Sequence, residues 1–212
     1  MSAAAPSHTY FYPNKMGRVY LLSLKEVLIG DGYFDLLKRT GLSRFEDTLP
    51  PDNWTKGFSF DSISSLNQGI EQYYGPRGGR RLALLAGQKF FELGSESFGR
   101  FAGLNELALK GKSLPEKLNM GLASMARLMN EVSDQTTWIE EVGPQRLNYH
   151  VGMCPVCWTR LAEEPICFYH VGFLKGTLSW CSSGLDFRVR QTSCIAVGDE
   201  QCVFRIDTVP IK

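Results

Sequence analysis

Apolar side chains recur every three or four residues through much of the first two thirds of this chain. Val19, Leu21, Leu22, Val27 and Leu28 carry that spacing from Arg18 to Ile29, and Gly30 stops it. A second short helix is predicted over Tyr33 to Arg39. Leu49-Pro50-Pro51-Asp52-Asn53 cannot continue a helix, because proline lacks an amide hydrogen and restricts the residue before it. We read it as a linker between helical elements. Ile63, Leu66, Ile70 and Tyr73 then share one face of an amphipathic helix over Ser59 to Tyr74. A break at Tyr73–Arg81 separates it from a further apolar run containing Leu82, Leu84, Leu85, Phe90 and Phe91. Leu118, Met120, Leu122, Met125, Leu128 and Met129 mark a long helix between Leu114 and Val132.

Past that helix the period shortens to that of strands. Thr136–Glu141 and Arg146–Val151 flank the turn Gly143-Pro144, and Phe187–Ala196 and Gln201–Asp207 flank the hairpin signal Gly198-Asp199. Ile166 to Trp180, between the two strand pairs, is predicted helical. The order of several helices, two strands, a helix and two strands defines an α+β fold with helices packed on an antiparallel sheet. No internal repeat is visible. Residues 1–15 are expected to be a flexible N-terminal tail, since the opening decapeptide is rich in Ala, Ser and Pro. Residues 16–212 are expected to form a single domain, helical over about 16–134 and cysteine-rich over about 135–212.

Charge removes one class of partner. Lys and Arg number 23 against 22 Asp and Glu, so no bulk positive field exists to hold a nucleic-acid backbone. The longest apolar stretches, such as Ile166–Leu174, reach about half the length of a membrane span. The first ten residues lack the basic start and apolar run of a signal peptide. These features lead us to expect a cytoplasmic protein. The Gly-rich basic turn Gly75-Pro76-Arg77-Gly78-Gly79-Arg80-Arg81 resembles an anion-binding helix start but lacks the ordered glycines and lysine of a nucleotide loop. Its alternative reading is a glycine-packed helix start with solvated arginines.

All six cysteines fall in the last third, at 154, 157, 167, 181, 194 and 202. In a reducing compartment such clustering with C-x2-C spacing points to metal or redox chemistry. Cys194 and Cys202 flank the predicted hairpin at similar distances, which brings their thiols close unless a bulge intervenes. Cys167 starts the preceding helix, a position that favours the thiolate. Cys154-Pro155-Val156-Cys157 has the spacing of a zinc knuckle. Six thiols exceed the four that a tetrahedral ion needs, so some, Cys181 among them, are read as small buried hydrophobes. A redox-active C-x2-C is the other alternative.

Three segments carry a family resemblance. Pro165-Ile166-Cys167-Phe168 with Gly172 and Gly176, the run Phe187 to Cys194, and Gly198-Asp199-Glu200-Gln201-Cys202-Val203-Phe204 resemble the 4-vinyl-reductase-like (hydrocarbon-binding) domain family. Tyr74-Gly75-Pro76-Arg77-Gly78 resembles an upstream motif of some of its members. The family is similar to the ligand-binding domains of aromatic-sensing bacterial activators and to TRAPP subunits. The resemblance implies a commonly dimeric α and β fold with an apolar cavity. It also implies a zinc ion beside the cavity, held by three cysteines and a glutamate. Carried onto this chain, the thiols are Cys167, Cys194 and Cys202, while the glutamate position is Gln191. A neutral amide is a poor zinc ligand, so either Cys154 or Cys157 is expected to supply the fourth donor.

The expected pocket lies between the last helix and the sheet. Tyr149, Trp158, Phe168, Phe173 and Trp180 are its candidate walls, with His150 and His170 as polar anchors. The resemblance implies a carrier, chaperone or photosynthetic assembly factor for a small hydrophobic ligand, a tetrapyrrole such as a chlorophyll precursor or a bilin. Zinc, a homodimer, photosynthetic assembly proteins and a location peripheral to a thylakoid membrane go with that reading. A TRAPP-like scaffold and a reductase of a chlorophyll intermediate's 4-vinyl group are the alternatives. No G-x-G-x-x-G follows a strand, which favours a binder over an enzyme.

Overall fold

The computed structural model describes residues 9–98 and 109–211. Its first element is a short strand, β1 (Phe11–Pro13), which leads directly into helix α1 (Asn14–Val27) and then α2 (Gly32–Arg39). Strand β2 (Lys56–Ser59) returns to pair antiparallel with β1. The flexible tail expected through residue 15 is therefore shorter. Residues 11–15 are held in β1 and α1 because the Tyr12 ring is buried edge-on against Phe60, with centroids 5.4 Å apart. Residues 1–8 lie outside the described residues. Neither strand of this pair was legible in the sequence, since three or four residues are too few to display a period of two.

Helix α3 (Phe60–Phe98) contains the break expected near Tyr74 as a kink rather than a loop. Gly75 sits at φ 71°, a backbone region that side chains disfavour, and Pro76 restarts the helix after it. The bend brings Gly79 against Glu71, where a Cβ would lie 2.7 Å from the Glu71 Cα. Helix α4 (Leu114–Val132) has the bounds its apolar stripe predicts. Its start is set by Pro115 in the first turn and by the Glu116 carboxylate, which accepts the Ser113 amide at 2.8 Å.

Strands β3 (Thr137–Gly143) and β4 (Arg146–Val151), helix α5 (Phe168–Cys181), and strands β5 (Val189–Ser193) and β6 (Cys202–Asp207) complete the chain. The sheet is antiparallel throughout, in the order β3-β4-β6-β5. Leu147, Tyr149 and Val151 pair with Ile206, Phe204 and Cys202, and all six are buried on one face. This is the expected α+β fold of helices on an antiparallel sheet. β5 is shorter than its apolar run, because the ladder slips between Gln191 and Ser193 and the chain then turns through a 3-10 segment, Ile195–Val197. No helix among the described residues is long and apolar enough to cross a membrane.

α5 is the central element, buried around most of its circumference. Its contact with α3 is made backbone to backbone. A Cβ at Gly172 would lie 1.9 Å from the Leu84 carbonyl oxygen, and one at Gly87 would lie 2.0 Å from that of Tyr169. Gly176 faces the Phe91 side chain in the same way, at 2.9 Å. Gly172→Ala is expected to lower the unfolding free energy by about 3 kcal/mol, since carbonyl backbone cannot move aside as a side-chain tip can. Gly78→Ala, whose Cβ would make an ordinary 3.4 Å contact with Tyr74, is expected to raise it by about 0.5 kcal/mol through helix propensity. Denaturant unfolding of the two variants checks the contrast.

Candidate metal centre

Three separate segments deliver sulfur to one point. The loop after β4 carries Cys154 and Cys157 and is tied to α3, where Ser64 donates to the Trp158 carbonyl at 2.6 Å and Arg160 pairs with Glu71. Cys167 occupies the N-cap of α5, and Cys202 opens β6. The Sγ atoms of Cys154, Cys157, Cys167 and Cys202 all lie within 4.8 Å of one another, and all four residues are buried. The Cys154–Cys167, Cys157–Cys202 and Cys167–Cys202 separations are 3.6, 3.5 and 3.9 Å. Zinc–sulfur bonds of about 2.3 Å would place tetrahedral sulfurs about 3.8 Å apart. The four thiols are thus spaced to hold one metal ion.

Both cysteines of the C-x2-C pair join this set, where the sequence left the choice between them open. Cys194, carried over from the resemblance, sits 3.8 Å from Cys167 but outside the group in which all four sulfurs are in mutual reach. The tight turn after β5 holds it, with its amide donating to the Asp199 carboxylate at 2.7 Å. Gln191 does not present its amide to the sulfurs. Its Oε1 accepts the Cys167 backbone N–H at 2.8 Å and its Nε2 donates to the Ser193 carbonyl at 3.1 Å. The residue at the glutamate position fixes the helix N-cap that carries one thiol, and the C-x2-C loop supplies the remaining sulfur.

The electrostatics of the metal-free cluster are those of one thiolate cradled by thiols. Hydrogen bonds from Cys154 and the neighbouring thiols hold Cys157 well below the ordinary thiol range. Burial pushes Cys167 far above it. A cation that replaced the shared protons would neutralise what burial otherwise penalises. Cys181 lies apart, beside Gly121, and burial pushes its thiol up to about 12. It is an inert hydrophobe, as its isolation in sequence suggested.

The residues expected to line a pocket are distributed over several places. His170 and Phe173 border a small internal cavity together with Tyr12, Tyr20, Phe90 and Tyr169. Its free volume of about 10 Å³ is room for a single water. Tyr149 is buried beneath the sheet. His150 stacks on Trp138 at 4.8 Å on the other face of the sheet, with Nε2 3.1 Å from the Glu140 carboxylate. Trp158 packs on Tyr10 and Phe60, and Phe168 lies beneath the Arg80 guanidinium. Trp180 lines a separate open groove of about 810 Å³ with Phe91, Leu109, Lys110 and Lys117. Tyr12, Tyr20 and Phe90 went unnoticed in the sequence. Each lies far along the chain from the cysteines and reads as tail or core.

Comparison with known proteins follows from this architecture. Residues 147–208, the segment holding the whole cysteine cluster, match the 4-vinyl-reductase domain family. That match bears out the 4-vinyl-reductase-like resemblance for this part of the chain. The fold as a whole is that of H-NOX domains. A Cs H-NOX mutant carrying 4-cyano-L-phenylalanine superposes with a TM-score of 0.61 at 13% identity, over 94% of this chain and 98% of that chain. An oxygen-binding H-NOX domain related to soluble guanylate cyclases gives 0.58 at 12% identity, over 92% and 94%. An H-NOX protein from S. oneidensis in the Fe(II)NO ligation state gives 0.55 at 11% identity, over 92% and 98%. No curated protein matches the chain.

Cobalt(II) titration of the reduced protein separates the two ligand sets. Cys157→Ser and Cys202→Ser are each expected to weaken uptake by on the order of a hundredfold or more, because a tetrathiolate loses a charged donor. Cys194→Ser and Cys181→Ser are expected to leave stoichiometry and absorption unchanged. Loss of binding in Cys194→Ser would restore the set implied by the resemblance.

Proposed function

We propose that this protein is a carrier-type module that binds a small hydrophobic ligand and whose cysteine-rich half is fastened by zinc. The observation that carries the metal half is the set of four buried sulfurs at tetrahedral spacing. An all-sulfur tetrahedral donor set suits zinc, and Cys154, Cys157, Cys167 and Cys202 would hold it. When bound, the ion would supply a structural cross-link between the β4 loop, α5 and β6. Four thiolates leave no open coordination position, which favours a structural ion over a Lewis-acid centre and so a binder over an enzyme.

The ligand half rests on the groove bordered by α3, α4 and α5. Its volume of about 810 Å³ falls within the range of small-molecule sites. Phe91 and Trp180 give it an aromatic wall, while Lys110 and Lys117 stand at its edge. That combination suits a flat apolar molecule bearing carboxylates, and a tetrapyrrole has that chemistry. Two H-NOX neighbours are described by heme distortion and by oxygen binding, which supports the same ligand class. The glycine contacts between α3 and α5 argue against a planar ligand wedged between those helices, so we assign the ligand to the groove.

Native mass spectrometry with an absorption spectrum of protein isolated from its source tests both halves and reports the homodimer as well. A zinc mass shift with a tetrapyrrole band is the expected result. In titrations with protoporphyrin, tryptophan fluorescence should be quenched at one equivalent, and Trp180→Phe should lose most of that quenching. Zinc without organic cargo, and no quenching when porphyrins are offered, would turn the reading to a TRAPP-like scaffold.

A further inference from the structure

The side chains between the internal cavity and the sulfur cluster form a directional chain. The Tyr12 hydroxyl reaches Gln135 Oε1 at 2.6 Å, Gln135 Nε2 lies 3.4 Å from His170 Nε2, and His170 Nδ1 lies 3.7 Å from Cys154 Sγ. All four residues are buried. The backbone around them is tied down, since the Gln135 amide donates to Ser133 Oγ and the Asp134 amide to the Phe11 carbonyl. His170 is fixed by stacking on Phe204, with centroids 5.5 Å apart.

The chain has one consistent set of protons. The Tyr12 hydroxyl has Gln135 as its hydrogen-bond partner, so it donates and Gln135 Oε1 accepts. Reversing the Gln135 amide would bury a phenolic proton without an acceptor, an arrangement folded proteins avoid. With Oε1 engaged, the Gln135 NH2 group donates to His170 Nε2, which must then be the unprotonated nitrogen. The ring proton is left on Nδ1, directed at Cys154.

We infer that His170 is a positioning residue of the metal centre: as the Nδ1–H tautomer selected by Tyr12 and Gln135, it donates an N–H···S hydrogen bond to Cys154. The inference rests on the metal reading above for its consequence, though not for its geometry. A hydrogen bond to a coordinated sulfur draws charge from it, so Cys154 becomes the weakest of the four donors. The ring also sets the sulfur's direction. Tyr12 and His170 both border the cavity, and this chain is its link to the sulfurs.

Long-range proton–nitrogen NMR correlation of the histidine rings reads the tautomer directly in the intact protein. His170 is expected to show a protonated Nδ1 and a bare Nε2, with Gln135→Leu relaxing that preference. A protonated Nε2 with a bare Nδ1 would overturn the inference, in metal-free or metal-loaded protein alike. In the cobalt(II)-loaded protein, His170→Phe is expected to move the sulfur-to-cobalt absorption to lower energy. His170→Asn, which can offer an amide N–H near the position of Nδ1, should move it back. An unshifted band in His170→Phe would also overturn the inference. Failure of the wild-type chain to take up cobalt or zinc would instead defeat the metal reading, while the tautomer measurement would still decide the role of His170.

Discussion

Leu84 and Tyr169 present their carbonyl oxygens where the side chains of Gly172 and Gly87 would begin, and the position of everything chemical in this protein follows from that contact. Two helices can come this close only where neither has a Cβ. The approach fixes the depth and rotation of α5. Rotation sets the direction of Cys167 at its N-cap, of His170 one turn later and of Trp180 near its far end. Stacking of Tyr20 on Tyr169, with centroids 4.3 Å apart, and the hydrogen bond between Ser23 and the Tyr169 hydroxyl carry the same constraint to α1.

The cysteine cluster shows how an apparently incomplete ligand set can be completed by the fold. An amide at Gln191 is a poor donor to a cation, yet it is a good partner for a backbone N–H, and here it accepts one from Cys167. The C-x2-C loop contributes sulfur in its place, held against α3 by Ser64 and Glu71. Gathering buried thiols without a cation is costly, because each ionised form is desolvated and each neutral form must find a partner. The shared hydrogen bonds among Cys154, Cys157, Cys167 and Cys202 are how the metal-free chain meets that demand, and a single divalent ion would meet it more completely.

The aromatic residues divide between a core and a groove. Tyr20, Phe90, Tyr169 and Phe173 pack among themselves at centroid distances of 4.3 to 6.1 Å, leaving space for little more than one water. Phe91 and Trp180 face the other way, into the open groove. Ligand binding in the groove and metal binding in the cluster therefore occur at opposite ends of α5.

Local chemistry along the chain determined a large part of this result. Helix α4 keeps the bounds of its apolar stripe because a long amphipathic period and a capping box are local signals. β4 likewise follows its alternation, and the knuckle spacing of Cys154 and Cys157 marked a metal-binding loop. What only the tertiary structure decided is which side chains meet. Spacing gives the face on which a residue lies but not what that face approaches. So His150, one residue from Tyr149, belongs to the opposite side of the sheet, and Tyr12 leaves an expected tail to join a chain ending at Cys154. α5 is apolar nearly all round, so its period could not say which flank would meet α3. That choice was made by where two glycines allow backbones to touch.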